Sequence, residues 1–270
     1  MKDWRAAPDE VAPTVLVLGG FLTSPPFYEP LRARLQRAGA AAVVVAPVWL
    51  PDWLLAAPRG VGPIATRAGR ALLRASEAAR AGSRGAPVLI VGHSAGGIVA
   101  RLLTSPEPFD GRRFAASERI GAIVSLGTPH QVVGDDGDGF AGRELGRRAT
   151  YFADRVVPGA AFAPRVGYVS VASSRVVGRR RGVGPAGIAW LSYSSLLGDA
   201  ADPAGTPGDG VVPTACALLP GSRQVVLDDV GHGIFGRLPW YGSEGVIDRW
   251  WPEAVEAWRA ALRSRRGTPD

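Results

Sequence analysis

The amino-acid sequence predicts an α/β protein with a mostly parallel central sheet and helices on both faces. Three observations support this class. Short apolar runs rich in β-branched residues alternate along the chain with segments that carry apolar residues at helical spacing. The 270 residues are enough for one large α/β domain with a substantial core and are short for two. With 46% hydrophobic and 20% charged residues, the composition is that of an ordinary globular protein.

Six apolar runs are predicted to be strands of this sheet. The run Val88–Val91, which follows Pro87, has no polar alternation, and such a run is typical of a strand buried on both faces. In chain order, the predicted strands are Thr14–Leu18, Val43–Ala46, Val88–Val91, Ile120–Leu126, Gly167–Ala172 and Gln224–Leu227.

Apolar residues at helical spacing predict three long helices between and after these strands. The first ends at Gly39, a residue suited to a left-handed helix cap, and the second runs toward Gly82. The third is expected from about Val246 to Leu262. The apolar positions that define the three helices are Tyr28, Leu31, Leu35 and Ala38; Ile64, Ala68, Ala71, Leu72 and Ala75; and Ile247, Trp250, Trp251, Val255 and Trp258.

A single domain over residues 1–270 is expected, with two insertions. Residues 134–164 begin with an acidic, glycine-rich stretch and are interpreted as a small lid. Residues 178–210, rich in Gly, Ser, Pro and Asp, are interpreted as a loop-rich insertion. Both follow predicted strands, so we expect them at the sheet edge where α/β folds bind ligands.

The charge pattern gives no support for nucleic-acid binding. The formal net charge is +7, from 31 Lys and Arg against 24 Asp and Glu, and basic residues cluster at Arg179–Arg181 and Arg263–Arg266. Neither cluster contains interleaved aromatic residues or a known nucleic-acid motif. We interpret both as solvated surface, with weak attraction to anionic membranes as the alternative, so at most a peripheral membrane contact is expected.

The sequence also indicates a compartment and argues against metal chemistry. No apolar stretch approaches the length needed to cross a bilayer, and Met1–Pro13 carries acids and prolines where a secretory signal has a continuous apolar segment, so a cytoplasmic location is expected. Cys216 is the only cysteine, which excludes an internal disulfide and suits a reducing compartment. With one cysteine and three histidines, neither a metal site nor a cofactor is expected.

The segment VLIVGHSAGGIVARLL, Val88–Leu103, passes from a strand to a helix at Ser94. Such a tight turn strains the backbone of its central residue and needs small neighbours, which Gly92 and Gly96 supply. This is the pattern of a nucleophile elbow, in which the Ser94 hydroxyl is exposed and the Ala95 amide at the helix N-terminus is a candidate oxyanion donor. A purely structural glycine-rich turn is the alternative.

A serine hydroxyl needs a base that removes its proton and a carboxylate that orients the base. Of the three histidines, His232 in DDVGHGIFG follows the last predicted strand and is the candidate base. His93 lies inside the elbow and must point away from its apex, so we expect it to pack or to line a pocket. His130, in LGTPH after the fourth strand, is expected near the site as a substrate-binding residue.

Asp209 in TPGDGVVP is the favoured carboxylate. It lies between the fifth strand and His232, and glycines on both sides let the backbone bring it under the imidazole. Asp199 and Asp202 are the alternatives. Asp228–Asp229 lie too close to His232 in the sequence to come from a separate loop.

The loop after the first strand, LGGFLTSPPF, is expected to supply the second oxyanion donor. Gly19 and Gly20 allow this loop to approach the elbow closely. Phe21 is the first choice of donor and Leu22 is the second.

Apolar residues at the same sheet edge favour a lipophilic substrate. The loop WLPDWLL, Trp49–Leu55, follows the second strand, and Trp49 and Trp53 are expected to line a pocket for an acyl chain together with Leu22. The alternative is that this loop docks on a neighbouring helix.

The stretches VGHSAGG, LGTPH, GDGVVP and a late GHG together resemble those of α/β-hydrolase serine esterases and lipases. The similarity covers roughly residues 14–260, and GGFLTSPPFYEPLRARL and PWYGS resemble a subgroup of lipase-like and GPI inositol-deacylase-like hydrolases from bacteria and plant plastids. The resemblance implies a catalytic triad of Ser94, Asp209 and His232. Together with the apolar loop Trp49–Leu55, it leads us to expect hydrolysis of lipophilic acyl esters through an acyl-enzyme.

One departure from the family pattern concerns the oxyanion loop. Many lipases have His-Gly where this chain has Gly19-Gly20, so the second donor stays open. Two other functions also stay open. One is acyl transfer on the same triad, and the other is a non-catalytic module of the same fold that binds a small ligand.

Overall fold

The computed structural model describes residues 11–132, 141–182, 184–198, 202–234 and 238–266. The strands are β1 (Thr14–Leu18), β2 (Ala42–Val45), β3 (Val88–His93), β4 (Ile120–Leu126), β5 (Gly167–Ser173), β6 (Val176–Val177), β7 (Pro207–Gly208) and β8 (Arg223–Leu227). Six of them form a parallel sheet in the order β2-β1-β3-β4-β5-β8, and β6 and β7 form a separate antiparallel pair. This arrangement confirms the predicted fold class.

Helices cover both faces of the sheet. In the described ranges they are α1 (Glu29–Arg37), α2 (Leu50–Arg59), α3 (Gly62–Gly82), α4 (Ala95–Thr104), α5 (Ala141–Val156), α6 (Pro185–Leu197), α7 (Thr214–Ala217) and α8 (Ile247–Arg266). Because side chains alternate along a strand, Leu16 and Leu18 of β1 pack in the core with α3 and α4, whereas Val15 and Val17 pack with α1 and α8. The sheet is therefore buried between two helical layers.

All six predicted strands occur, and their ends differ from the prediction by at most two residues. The reason is that a strand buried on both faces is an uninterrupted apolar run, which the sequence displays directly. The predicted C-terminal helix also occurs as α8. Its tryptophans are anchored in the core, where the indole N–H of Trp251 donates to the Ala38 carbonyl (2.9 Å) and that of Trp258 to the Pro87 carbonyl (2.7 Å).

Two segments that were expected to be loops contain helices. In Trp49–Leu55, helix α2 begins at Leu50, and the Asp52 carboxylate accepts the N–H of Trp49 (2.9 Å). In residues 178–210, helix α6 begins at Pro185. Both helices carry a proline in their first turn, where its missing N–H costs nothing, so the prolines that suggested loops are helix starts.

The expected lid, residues 134–164, includes helix α5. Ala149 and Ala153 on this helix are buried in the core, in contact with the layer that contains α3 and α4. At these positions α5 belongs to the body of the domain. Residues 133–140 lie outside the described residues.

One arginine of the C-terminal basic cluster is not solvated, contrary to the prediction. The Arg265 side chain is 14% exposed. Its guanidinium group donates to the carbonyl oxygens of Ser117, Glu118, Ile120 and Arg165 at distances from 2.8 to 3.1 Å. Arg265 therefore fastens the end of α8 to the start of β4.

Two of the three histidines are buried in the sheet layer. His93, the last residue of β3, is 3% exposed, and His130, which follows β4, is 1% exposed. Burial, with a smaller contribution from nearby His232, lowers the pKa of His93 to about 3. Burial and the positive charge of Arg101 hold the pKa of His130 well below its ordinary value. Both imidazoles are therefore neutral at pH 7.

Mild acid is expected to destabilise the fold. The pKa of His93 in the folded chain lies below the unfolded value of about 6.5, so the unfolded chain binds more protons as the pH falls. His93 alone should lower the free energy of unfolding by about 2 kcal/mol between pH 7 and pH 5, and His130 acts in the same direction. Denaturant unfolding at several pH values measures this loss. His93→Gln should make this loss of unfolding free energy smaller by about 2 kcal/mol. An unchanged pH dependence of stability in this variant would contradict the low pKa of His93 in the folded chain.

Candidate active site

Ser94 lies at the apex of the turn between β3 and α4, and its backbone is strained. Its φ of 51° and ψ of −125° are values that residues with a side chain rarely adopt. The next strand and its loop hold the turn in place. The Ser94 N–H donates to the Leu126 carbonyl (2.9 Å), and the Thr128 hydroxyl donates to the Ser94 carbonyl (2.9 Å). The strand-turn-helix geometry predicted around Ser94 is therefore present.

Glycines around Ser94 let helix α4 lie directly against the sheet. A Cβ atom on Gly92 would lie 2.6 Å from the Cα atom of Gly97, and one on Gly96 would collide with the Leu18 carbonyl oxygen. These contacts involve backbone atoms that cannot move aside. The spacing of the glycines in the sequence is thus a packing requirement of the turn.

Two loops bring His232 and Asp209 to Ser94. His232 Nε2 lies 3.0 Å from Ser94 Oγ, and His232 Nδ1 lies 2.7 Å from Asp209 Oδ2. Because a carboxylate only accepts hydrogen bonds, Nδ1 carries the proton and Nε2 is free to accept the hydrogen of the serine hydroxyl. The two loops are also joined through their backbones, since the His232 N–H donates to the Asp209 carbonyl (2.9 Å).

The Asp209 carboxylate is buried and fully hydrogen-bonded. Asp209 is 3% exposed; its Oδ1 accepts the N–H groups of Val211 (3.0 Å) and Val212 (2.8 Å), and its Oδ2 accepts from His232 and from the Tyr241 hydroxyl (2.8 Å). Burial alone would raise the pKa of Asp209. The neighbouring His232 and the backbone donors outweigh burial and hold this pKa below its ordinary value. The carboxylate is therefore ionised beside the imidazole.

Of the alternative acids that the structure describes, none bonds to His232. Asp202 stabilises an exposed turn by accepting the N–H of Ala204 (2.8 Å), and Asp228–Asp229 pair with Arg249 (3.5 and 2.6 Å). Asp199 lies outside the described residues. The structure thus brings the favoured candidate, Asp209, to His232.

Tyr241 is a partner of the site that sequence reasoning missed. It is fully buried, and it approaches Asp209 next to Gly127, where a Cβ atom would lie 2.6 Å from Asp209 Oδ2 and 2.8 Å from the Tyr241 ring. Gly127 also has a φ of 55°, which favours glycine. The only signal in the sequence was the stretch PWYGS, which contributed to the family resemblance without indicating a role for its tyrosine.

His93 connects the glycine-rich loop after β1 to the His232 loop. His93 Nε2 lies 3.1 Å from the His232 carbonyl oxygen, so this nitrogen carries the proton, and Nδ1 accepts the hydrogen of the Tyr28 hydroxyl (2.9 Å). The Tyr28 oxygen in turn accepts the N–H of Gly20 (2.7 Å). Burial raises the pKa of Tyr28 to about 12, so the phenol keeps its proton. His93 was expected to pack or line a pocket, and the structure gives it this bridging position.

His130 does not belong to the site, so its assignment to substrate binding is corrected. Its ring is buried, and Nε2 lies 2.8 Å from the Ser125 hydroxyl near the end of β4. The His130 backbone N–H donates to the Cys216 carbonyl (2.8 Å). The direction of a side chain after a strand depends on packing, which the sequence did not reveal.

The loop after β1 lies directly against the elbow. A Cβ atom on Gly20 would lie 3.0 Å from the Ser94 Cβ atom and 3.1 Å from His93 Nδ1, so any larger residue there would be tightly packed against the elbow. Phe21 and Leu22 follow with side chains that are 41% and 43% exposed. Among the hydrogen bonds of the described residues, none uses the amide N–H of Phe21 or of Ala95. Both predicted oxyanion donors therefore have free amides beside Ser94.

The two predicted substrate-binding tryptophans have different surroundings. Trp49 is 48% exposed at the start of α2, whereas Trp53 is only 4% exposed and packs in the core. The Trp53 ring meets the Phe21 ring edge to face, with centroids 5.6 Å apart. Trp53 thus docks in the domain and supports the side chain of Phe21, which corrects its assignment to the pocket wall.

The described residues offer no alternative centre based on a metal. Within these ranges, no group of three or more His, Cys, Asp or Glu side chains is arranged to hold an ion. Burial raises the pKa of the Cys216 thiol to about 11, so this cysteine is not an activated nucleophile. None of the helices that the structure describes has the length and apolar character needed to cross a membrane.

A protein-family model for the PGAP1-like alpha/beta domain matches residues 75–155. The matched stretch runs from α3 through β3, Ser94, α4 and β4 into α5, and it contains neither Asp209 nor His232. It covers less than half of the chain. No curated protein matches the chain.

Solved structures match the chain over much of its length. Lipase BlEst2 of Bacillus licheniformis in its mature form is 16% identical, with a TM-score of 0.57 over 94% of this chain and 95% of that chain. The propeptide form of the same lipase is 16% identical, with a TM-score of 0.55 over 84% of this chain and 48% of that chain. A thermophilic esterase of Thermogutta terrifontis is 12% identical, with a TM-score of 0.48 over 97% of this chain and 86% of that chain. The chain therefore shares the fold of lipase BlEst2, and its residues 75–155 are similar to the PGAP1-like alpha/beta domain.

Proposed function

We propose that this chain is a serine hydrolase that cleaves lipophilic carboxylic esters through an acyl-enzyme on Ser94. One observation carries the proposal, the unbroken row of hydrogen bonds from Asp209 Oδ2 through His232 to Ser94 Oγ, with distances of 2.7 and 3.0 Å. A serine hydroxyl bonded to a neutral imidazole, itself oriented by a buried carboxylate, is the arrangement that activates the oxygen as a nucleophile. The similarity to a lipase over most of the chain supports ester hydrolysis.

The first half of the reaction acylates the enzyme. Ser94 Oγ attacks the ester carbonyl carbon while its proton moves to His232 Nε2, and the ionised Asp209 stabilises the imidazolium that forms. The tetrahedral intermediate collapses when its bond to the alcohol oxygen breaks, and that oxygen takes the proton from His232. The alcohol leaves, and the acyl group stays on Ser94.

The second half releases the acid. A water molecule gives a proton to His232 Nε2 as its oxygen attacks the acyl carbon, and collapse then breaks the bond to Ser94 Oγ, which takes the proton back. The carboxylic acid leaves, and the enzyme returns to its starting state. The same steps with an alcohol in place of water give acyl transfer, so product analysis separates the two reactions.

The oxyanion of each intermediate is assigned to the amides of Ala95 and Phe21. Ala95 is the first residue of α4, where the helix dipole adds partial positive charge. Phe21 follows Gly20, which touches the Ser94 side chain. Each such donor contributes about 3 kcal/mol of transition-state stabilisation in serine hydrolases, so both amides need to be free of other partners.

A lipophilic acyl chain fits the surface beside these donors. Phe21, Leu22 and Trp49 each expose two fifths or more of their side chains next to the elbow loop and the start of α2. Apolar surface with a few placed polar groups is typical of sites for such ligands. The lid role of residues 134–164 and a cytoplasmic location remain predictions.

Ser94→Ala should abolish covalent labelling by a fluorophosphonate probe and should lower ester hydrolysis by at least about a thousandfold. His232→Ala should also abolish labelling, because the hydroxyl then has no base. Mass spectrometry of the labelled peptide locates the adduct. The matched control is Ser192→Ala, which removes an exposed hydroxyl bonded to the Val211 carbonyl and should label as wild type does.

Labelling that survives Ser94→Ala would contradict the proposed nucleophile. Inactivity of the purified protein toward p-nitrophenyl esters from acetate to palmitate would contradict ester hydrolysis. If the wild type does not label, even in detergent, where a known serine hydrolase reacts fully, the non-catalytic binding module becomes the better account.

Tyr241→Phe should shift the acid limb of the kcat/KM profile to higher pH. The Tyr241 hydroxyl donates to Asp209 Oδ2, the same oxygen that accepts the His232 proton. Without this donor the ionised carboxylate is less stabilised, so the pKa of Asp209 rises toward its ordinary value and the pair loses its negative charge at higher pH. The variant should also lose about 2 kcal/mol of unfolding free energy, measured by denaturant titration.

The matched control for this shift is Tyr193→Phe. The Tyr193 hydroxyl donates to the Val176 carbonyl (2.9 Å) and accepts the Gly210 N–H (2.9 Å), and it has no hydrogen bond to the Asp209 carboxylate among the described contacts. Tyr193→Phe should lower stability while leaving the acid limb in place. Equal shifts in both variants, or no shift in either, would show that Tyr241 does not tune the pair.

A further inference from the structure

Helix α6 lies at the surface but contains no charged residue. Its sequence over Pro185–Leu197 is PAGIAWLSYSSLL. On the inner side, Ala189 and Tyr193 are fully buried, while on the opposite side Ile188 and Leu191 are 63% and 60% exposed. The outer side of α6 therefore carries two large exposed apolar side chains, with serines and no charged residue beside them, and such exposed apolar groups mark interaction surfaces.

The exposed apolar side chains of α6 extend onto the neighbouring loop. The Ser192 hydroxyl donates to the Val211 carbonyl (2.7 Å), which places Val211, 39% exposed, beside the outer side of the helix. We call Ile188, Leu191 and Val211 the α6 patch. Val211 is two residues from Asp209, so the patch lies at the edge of the sheet that carries the candidate active site.

Three consecutive arginines border the α6 patch. The N–H of Arg179 donates to the Ala186 carbonyl in the first turn of α6 (3.0 Å), so Arg179–Arg181 lie next to the start of the helix. All three side chains are exposed. In the part of the chain that the structure describes, none of their guanidinium groups forms an ion pair with an acid.

We propose that the α6 patch and Arg179–Arg181 form a docking surface for an anionic lipid membrane. Ile188 and Leu191 would enter between the lipid headgroups while the arginines contact the lipid phosphates. Charge complementarity favours a lipid surface as the occupant, since these arginines pair with none of the acids that the structure describes and the whole chain carries a net charge of +7. The surface does not depend on the proposed ester hydrolysis.

Sedimentation of the full chain with lipid vesicles tests the apolar part of the surface. The wild type should bind vesicles of phosphatidylcholine mixed with phosphatidylglycerol, and not vesicles of phosphatidylcholine alone. Removing both side chains in the double variant Ile188→Ser/Leu191→Ser should lower the partition coefficient by roughly tenfold for each residue. The matched control is Leu73→Ser on α3, a leucine that is 48% exposed and should leave binding unchanged.

A second set of variants tests the arginines. Replacing Arg179–Arg181 by serine should lower the partition coefficient by about fivefold for each arginine, and high salt should weaken wild-type binding. The matched control replaces three exposed arginines of α3, Arg70, Arg74 and Arg80, and changes the net charge by the same amount. If binding uses the proposed surface, the α3 variant should lower the partition coefficient much less than the Arg179–Arg181 variant does.

A fluorescent label shows directly which side of the protein meets the lipid. Cys216, the only native cysteine, is buried, so an environment-sensitive thiol probe can be placed at Ile188→Cys. Its emission should shift to shorter wavelength when phosphatidylglycerol vesicles are added. The same probe at Leu73→Cys should not respond.

Four results would overturn the proposal. The first is that the wild type fails to bind phosphatidylglycerol vesicles at low salt. The second is that the two arginine variants weaken binding equally, and the third is that the probe at Ile188→Cys does not respond while the protein binds. The fourth is that sedimentation instead reveals a dimer that Ile188→Ser/Leu191→Ser abolishes, because a second copy of this chain then covers α6 and the lipid proposal is wrong. None of these measurements uses ester cleavage, so they stand whether or not the proposed hydrolase activity is found.

Discussion

The arrangement of the candidate site depends on one interaction, the contact of the buried Asp209 carboxylate with the His232 imidazole. An ionised carboxylate out of water is costly unless its oxygens find donors. Here two backbone N–H groups, of Val211 and Val212, an imidazole and a phenol surround it. Gly127 leaves the space for this group, since any side chain there would meet Asp209 Oδ2. The loops after β4, β7 and β8 are thus positioned around a single carboxylate.

A second network connects the opposite side of the site, and it requires a neutral histidine. His93 donates to the His232 carbonyl and accepts from Tyr28 at the same time, which only the neutral ring can do. The burial that lowers the pKa of His93 therefore also maintains the link from Gly20 to His232. The neutral His93 ring therefore fixes the position of the loop after β1, which is assigned to the oxyanion, relative to the loop that carries His232. The burial of His93 thus affects both the stability of the fold and the geometry of the site.

The sequence predicted those parts of the structure that are encoded locally. Buried strands are apolar runs, and the elbow around Ser94 needs its glycines at fixed spacing, so both were visible without the structure. Asp209 could be preferred from chain order, because each loop after a strand reaches the same sheet edge. Tyr241 could not be identified as a partner of Asp209, since their contact joins residues 32 positions apart in the sequence. The assignment of His130 was wrong for a related reason, as the direction of its ring depends on tertiary packing.

Helix α6 was not predicted because it carries apolar residues on two opposite sides. Its inner side packs in the core, where the Tyr193 hydroxyl bonds to the backbone of Val176 and Gly210 next to the Asp209 loop. Its outer side exposes Ile188 and Leu191. With large apolar residues on both sides and only serines between them, the helix has no charged stripe, so the periodicity by which amphipathic helices are identified is absent. Since a helix is only about 10 Å across, whatever contacts its outer side lies one helix away from the loop that holds the carboxylate. The outer apolar side chains that hid α6 in the sequence are therefore the same ones that carry its proposed contact with lipid.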